Sequence, residues 1–234
     1  MANTFKNDVY RPETGLGVVT CINLGLIAAL GVLAVIGSSW RLISPDSSIE
    51  LGDSAMHPAD VIIGLAALFQ FGLRFTCAVV FFFWLHRVYN NLPVIGSRNL
   101  EFSPGWAVGW WFIPFANLIQ PFKIVKELYI ESRNRANEAD DDYSAENIWL
   151  WWIAFLLGGF VLRISDLMIG SGNQPDSKYF PVAFLVGQIF FIVSASFAIV
   201  IIRQVVSWQN SAFARTQSAG SMPPPPPPTF EQND

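Results

Sequence analysis

The chain has 234 residues, 52% of them hydrophobic, 15% aromatic and only 14% charged, with a formal net charge of −4; soluble domains carry a charged share of about 25%. No charged side chain occurs between Glu13 and Arg41, Glu101 and Lys123, Glu146 and Arg163, or Lys178 and Arg203. Apolar blocks of that length, where roughly 20 residues cross hydrocarbon, exclude a water-soluble globular fold and mark an integral membrane protein.

Taken in chain order, residues 1–15 form a short segment that carries Lys6 and Arg11. The first span, 16–36, imitates a signal peptide, but its apolar run exceeds the roughly 7–15 residues of a cleavable core and reads as a retained signal-anchor. Further spans are predicted at 61–85, 148–169 and 181–202. This gives an all-α membrane domain over 16–208 with four transmembrane helices. Gly158, Gly159, Gly187, Ser194 and Ser196 are small enough to let helix backbones approach closely. Residues 138–142, "EADDD", read as a solvated connection. A proline-rich tail occupies 209–234, where Pro223 and Pro228 bound an uninterrupted proline run that adopts polyproline II. It reads as a tether, or as a docking peptide for a partner protein.

The uncharged stretch after Glu101 is the one whose membrane crossing is in question. Ser103 before Pro104 predicts a helix start, with a capping side chain and a proline at the first helical position. Pro114 predicts a break after about ten residues, half a bilayer at 1.5 Å per residue. Beyond it Phe115, Leu118, Ile119, Phe122, Val125 and Tyr129 recur at helical spacing, while Asn117, Gln120, Lys123, Lys126 and Glu127 fill the other face. If the stretch does not cross, ten Lys and Arg face the cytoplasm against Arg41 and Lys178 outside; if it crosses, the split is five against seven. The positive-inside rule favours the first arrangement. Residues 104–132 are therefore expected to be a re-entrant or interfacial, Pro-broken aromatic helix on the cytoplasmic side, with both termini cytoplasmic. Tryptophan placement agrees: eight of nine, Trp40 excepted, gather near that boundary as a headgroup belt.

The run Phe102-Ser103-Pro104-Gly105-Trp106-Ala107-Val108-Gly109-Trp110-Trp111-Phe112-Ile113-Pro114-Phe115-Ala116-Asn117-Leu118, followed by Pro121 and by Glu127-Leu128-Tyr129, closely resembles the hallmark of a bacterial multi-pass membrane family, domain of unknown function 4328. Trp84-Leu85-His86-Arg87 with Asn91 matches the aromatic helix end that precedes the block in that family. The resemblance implies a bacterial cytoplasmic (inner) membrane location. It implies no activity.

Charge inside hydrocarbon often marks function. Arg74 falls near the middle of the second span, one turn after Gln70, and Arg163 and Asp166 lie three apart on the third span, spaced to pair. They read either as a substrate or ion pathway or as a structural network. Gly105 and Gly109 fit small-residue helix packing. His57 and His86 fall on opposite sides, Cys21 and Cys77 both fall within spans, and no phosphate-binding, zinc-protease or nucleophile-elbow motif occurs. The expectation is a non-enzymatic membrane module without cofactor or nucleic-acid partner, contacting lipids and a possible protein partner. The alternative is a small channel or transporter built on Arg74 and the Pro114 break.

Overall fold

The computed structural model describes residues 10–51, 54–137, 146–170 and 179–221, and within them the chain is an all-α integral membrane protein with one small hairpin. Four helices are long and apolar enough to cross a membrane: α1 (Thr14–Ile43), α2 (Pro58–Val94), α5 (Glu146–Gly170) and α6 (Tyr179–Ser221). They contain the four predicted spans. Two short helices, α3 (Pro104–Gly109) and α4 (Gln120–Arg135), lie between α2 and α5 in the chain.

The α1–α2 connection is fixed locally. Strands β1 (Ile49–Leu51) and β2 (Ser54–Met56) pair antiparallel with Glu50 opposite Ala55. His57 then caps α2: its Nδ1 accepts the Ala59 N–H at 3.0 Å, its Nε2 lies 2.7 Å from the Ser44 carbonyl, and Pro58 opens the first turn. Arg41 near the end of α1 reaches Asp60 at 3.4 Å.

The helices form a row, α2–α1–α6–α5, in which each packs along its neighbour while α2 and α5, at the two ends, do not pack on each other. α1 is the wedge. Its buried positions Gly17, Thr20, Ile27, Gly31, Ala34 and Ser38 recur every three, four or seven residues, so one small-residue stripe faces its neighbours. A Cβ on Gly31 would stand 3.1 Å from the Ile192 side chain of α6, so glycine there lets the two helices approach closely with little room to spare.

Burial concentrates at one end. α2 and α6 extend to Val94 and Ser221, well past the predicted span ends, and α4 packs against both extensions. Trp84, Leu85, Leu92, Ile124, Leu128, Val205 and Trp208 make the centre of this head. Phe122, Val125 and Tyr129 of the predicted apolar face are buried against protein rather than left open on the surface. The reason is that helix extensions, which charge patterning alone does not reveal, supply α4 with a protein groove.

Other local expectations also change. Ser103 makes no side-chain cap; its carbonyl instead accepts the Ala107 N–H at 2.8 Å. Gly105 faces open space, so Gly105 and Gly109 form no helix-packing pair. Of the predicted headgroup belt, Trp84, Trp151, Trp152 and Trp208 are buried in the core, while Trp106 and Trp149 are exposed. Tryptophans gather at this end because the core is there.

Candidate functional site

The Pro-broken segment is a tight reversal rather than two abutting helices. α3 ends at Gly109 and passes through a 3-10 turn at Trp110–Phe112 into an extended Ile113, the conformation that a following proline favours. Phe115 then adopts φ 64 and ψ −44, and the Ala116 N–H donates to the Pro114 carbonyl at 2.8 Å. This is the positive-φ γ-turn, rare and strained for a residue with a bulky side chain. A second 3-10 turn, Ala116–Leu118, leads into α4, where Pro121 sits in the first turn.

Two tryptophans hold the reversal. Trp111 lies 5.4 Å from Phe81 and 5.6 Å from Phe82 of α2, and 5.9 Å from Trp152 of α5, so its ring fills the head end of the gap between the two outer helices. The Trp152 Nε1–H donates to the Leu118 carbonyl at 3.0 Å. Phe112, Phe115, Leu118 and Ile119 are largely exposed, Phe115 at 86%, although the Phe112 ring touches Phe82 at 5.3 Å. Pro114 and Asn117 are exposed as well.

Arg74 lies on α2 farther from the head, against Phe191 of α6, which in turn meets Phe155 of α5. Its Nη2 donates to Gln70 Oε1 at 3.0 Å, and its guanidinium carbon sits 4.6 Å from the centre of the Phe191 ring of α6. Gln70 is itself locked: its Nε2 donates to the Ile27 carbonyl and to Gln188 Oε1, both at 3.3 Å, and its Oε1 also accepts from Gln188 at 3.2 Å. Three helices thus converge on one charge. Arg163 is exposed on α5; the side chain of Asp166, its expected partner, lies outside the described residues, as does the proline run of the tail.

A polar network ties the head together. Arg87 Nε stands 2.7 Å from Glu13 Oε1, whose side chain is 2% exposed. Burial pushes the Glu13 carboxyl above its usual range, with Arg87 and Arg11 acting against that. The Asn91 side chain accepts from the Arg11 backbone N–H and donates to the Arg11 carbonyl. Tyr10 donates to Asn210 Oδ1 at 2.7 Å and stacks on Phe213, so residues 10–13 strap α2 to α6. Deeper in, Gln209 donates to the Val88 carbonyl and to Ser132. Glu127, predicted only from the family block, accepts from the Tyr89 hydroxyl and from the Glu101 N–H.

The predicted residues therefore separate into three groups. Trp84, Arg87 and Glu127 belong to the head; Pro104, Trp106, Gly109, Trp110, Trp111, Pro114 and Pro121 to the reversal; and Arg74 to the contact of α2 with Phe191 of α6. Glu13, Gln188 and Gln209 were not singled out in the sequence. The available signal was a polar side chain inside or beside an apolar run, the same signal that picked out Gln70. Among the described residues no cluster of His, Cys, Asp and Glu could hold a metal ion.

The family described as Domain of unknown function (DUF4328) has a model that matches residues 48–208, well over half of the chain and all of the reversal. No curated protein and no solved structure matches.

Proposed function

The chain belongs to the DUF4328 family, and from that premise we propose a non-enzymatic module of the bacterial cytoplasmic membrane, both termini inside, whose reversal at residues 110–119 engages lipid of the cytoplasmic leaflet. One observation carries the reading. Phe115 combines a strained backbone with an almost fully exposed aromatic ring. Strain of this kind costs about 1–3 kcal/mol and persists where the surroundings impose it for use; in water the exposed ring would add a further cost, whereas acyl chains remove it. The neighbouring exposed Phe112, Leu118 and Ile119 extend the same apolar tip. Trp111 rests on Phe81 and Phe82, roughly one turn before Trp84 on α2, a position that supports a shallow dip.

The test replaces Cys21 and Cys77, introduces Phe115→Cys, attaches a polarity-sensitive fluorophore and reconstitutes the protein in vesicles. Blue-shifted emission, quenched by lipids labelled just below the headgroup and not by iodide, is expected. Iodide quenching with water-like emission overturns the reading. The channel or transporter alternative draws on Arg74, a charge held between helices next to a broken segment; solute flux in liposomes that Arg74→Leu abolishes would favour it. Docking of a partner by the prolines at 223–228 stays a separate proposal, tested by pull-down with and without the tail.

A further inference from the structure

Arg74 does not behave like an arginine that only tolerates its position. It lies ten residues before Trp84 on α2, about 15 Å along the helix. A long side chain in hydrocarbon normally snorkels to the nearer interface. This one follows the ordinary tilt of a helical side chain toward Gln70, one turn back, which Gln188 and the Ile27 carbonyl hold in place. One N–H is given to Gln70 and the face rests on Phe191; the remaining donors of the five have no partner among the described residues. No carboxylate is within ion-pairing distance among them either. Asp166 on α5 lies eleven residues beyond Phe155, about 16 Å of helix, and Phe155 is the α5 ring that meets Phe191.

The surroundings restrict what could meet the charge. α2 and α5 do not pack on each other, and at the level of Arg74 both face Phe191 of α6. Trp111 fills the head end of the gap between them, and the walls of that gap are the rings of Phe81, Phe155 and Phe191. A hydrated ion from the head side meets tryptophan, and one from the side meets hydrocarbon. An occupant that enters beside Arg74 from the bilayer would be apolar along its length and bear acceptor oxygens at one end.

We propose that this gap binds a long-chain carboxylic acid, its carboxyl oxygens accepting the unused N–H groups of Arg74 and its chain lying along Phe155 and Phe191. A carboxyl group has an ordinary pKa near 4, high enough to visit the neutral form that enters hydrocarbon. A phosphodiester stays ionised and remains at the headgroup level. The neutral acid accepts one N–H at its carbonyl oxygen; the two-oxygen fit to the guanidinium fork belongs to the carboxylate, so an acid that enters neutral gives up its proton to water at the headgroup level before the fork forms. The inference does not depend on how residue 115 meets lipid.

Full-length protein in phosphatidylcholine nanodiscs is titrated with oleic acid, with oleyl alcohol and phosphatidylglycerol as comparison probes. Saturable oleic acid binding is expected, with oleyl alcohol and phosphatidylglycerol failing to compete. Arg74→Gln should weaken it about tenfold or more, Arg74→Lys less, and Lys123→Gln with Lys126→Gln not at all. Equal affinity in Arg74→Gln, or competition by phosphatidylglycerol, overturns the proposal. Should Arg74→Gln fail to fold, photoreactive oleic acid on the wild-type chain decides: crosslinks in the peptides containing Phe155 or Phe191 support it, and crosslinks confined to residues 104–135 overturn it.

Discussion

Glu13 and Arg87 form the kind of pair whose two halves are unequal. The carboxylate is sealed from solvent while the guanidinium is 41% exposed, so removing Arg87 strands a buried charge, whereas removing the charge on Glu13 frees a cation that water can reach. Loss of one partner of a fully buried pair costs about 3–5 kcal/mol; exposure of Arg87 reduces this to about 2 kcal/mol. Arg87→Ala is expected to lower thermal stability in detergent by that amount and Glu13→Gln by clearly less, read from unfolding of the purified variants. Tyr10, in the same strap, has its hydroxyl pKa pushed up to about 12 by burial, with Glu13 adding to the shift. The folded state therefore holds this proton where the unfolded chain has lost it. Stability from Tyr10 is complete below pH 10 and declines as pH rises toward 12; Tyr10→Phe should abolish that part of the alkaline decline. Single residues were partly legible. Arg74, Arg87 and Glu127 stood out by charge or by family block, but Glu13 ends an ordinary polar segment, and its importance comes from α2 extending far enough to bring Arg87 beside it.

At the scale of elements, the break at Pro114 was readable and its form was not. A proline inside a helix predicts interruption, but the reversal also rests on extended Ile113, the γ-turn at Phe115, and clamps from Trp111 and Trp152. Sequence reasoning would have Pro114→Ala tempt residues 104–122 into one crossing helix. With these further determinants in place, the single alanine should leave the reversal intact: a cysteine at Asn137 should keep the accessibility to an impermeant thiol reagent that it has in the otherwise unchanged chain. Phe115→Gly tests the strain directly. Glycine accepts positive φ without penalty, so detergent-solubilised protein should gain about 1 kcal/mol, and a loss of stability would mean that the ring itself is packed. For α4, the helical spacing read from Phe115 to Tyr129 holds for Phe122, Val125 and Tyr129, which share one buried face, but not for Phe115, Leu118 and Ile119, which precede the helix and stay exposed. The partner of that face was not legible, since periodicity says which side is apolar without saying whether lipid or protein covers it.

For the whole molecule, the four helices long enough to span were visible as uncharged blocks, while their order in the row was not, because apolar side chains suit lipid and neighbouring helix alike. Among the described residues, the head, with its buried tryptophans and side-chain network, holds the main apolar cluster, and few of its members lie toward the far ends of α1 and α2. Amide hydrogen exchange should follow that gradient in detergent: slowest for Leu85 to Leu92, Ile124 to Leu128 and Val205 to Trp208, faster at the hairpin joining α1 and α2. The place of α1 has a further consequence. The family match begins at residue 48, after α1 has ended, although α1 is what joins α2 to α6 along most of their length. During synthesis α1 and α2 emerge early and can pair as a hairpin, and α5 and α6 emerge late and can pair as another. The seam between α1 and α6 can close only after the last helix leaves the ribosome, and the Tyr10–Asn210 bond only after that. Until then the side of the first helix that Gly17 and Gly31 present to α6 has no partner from its own chain, so anything that detains the late hairpin leaves a half-assembled protein with that side open to other helices in the membrane.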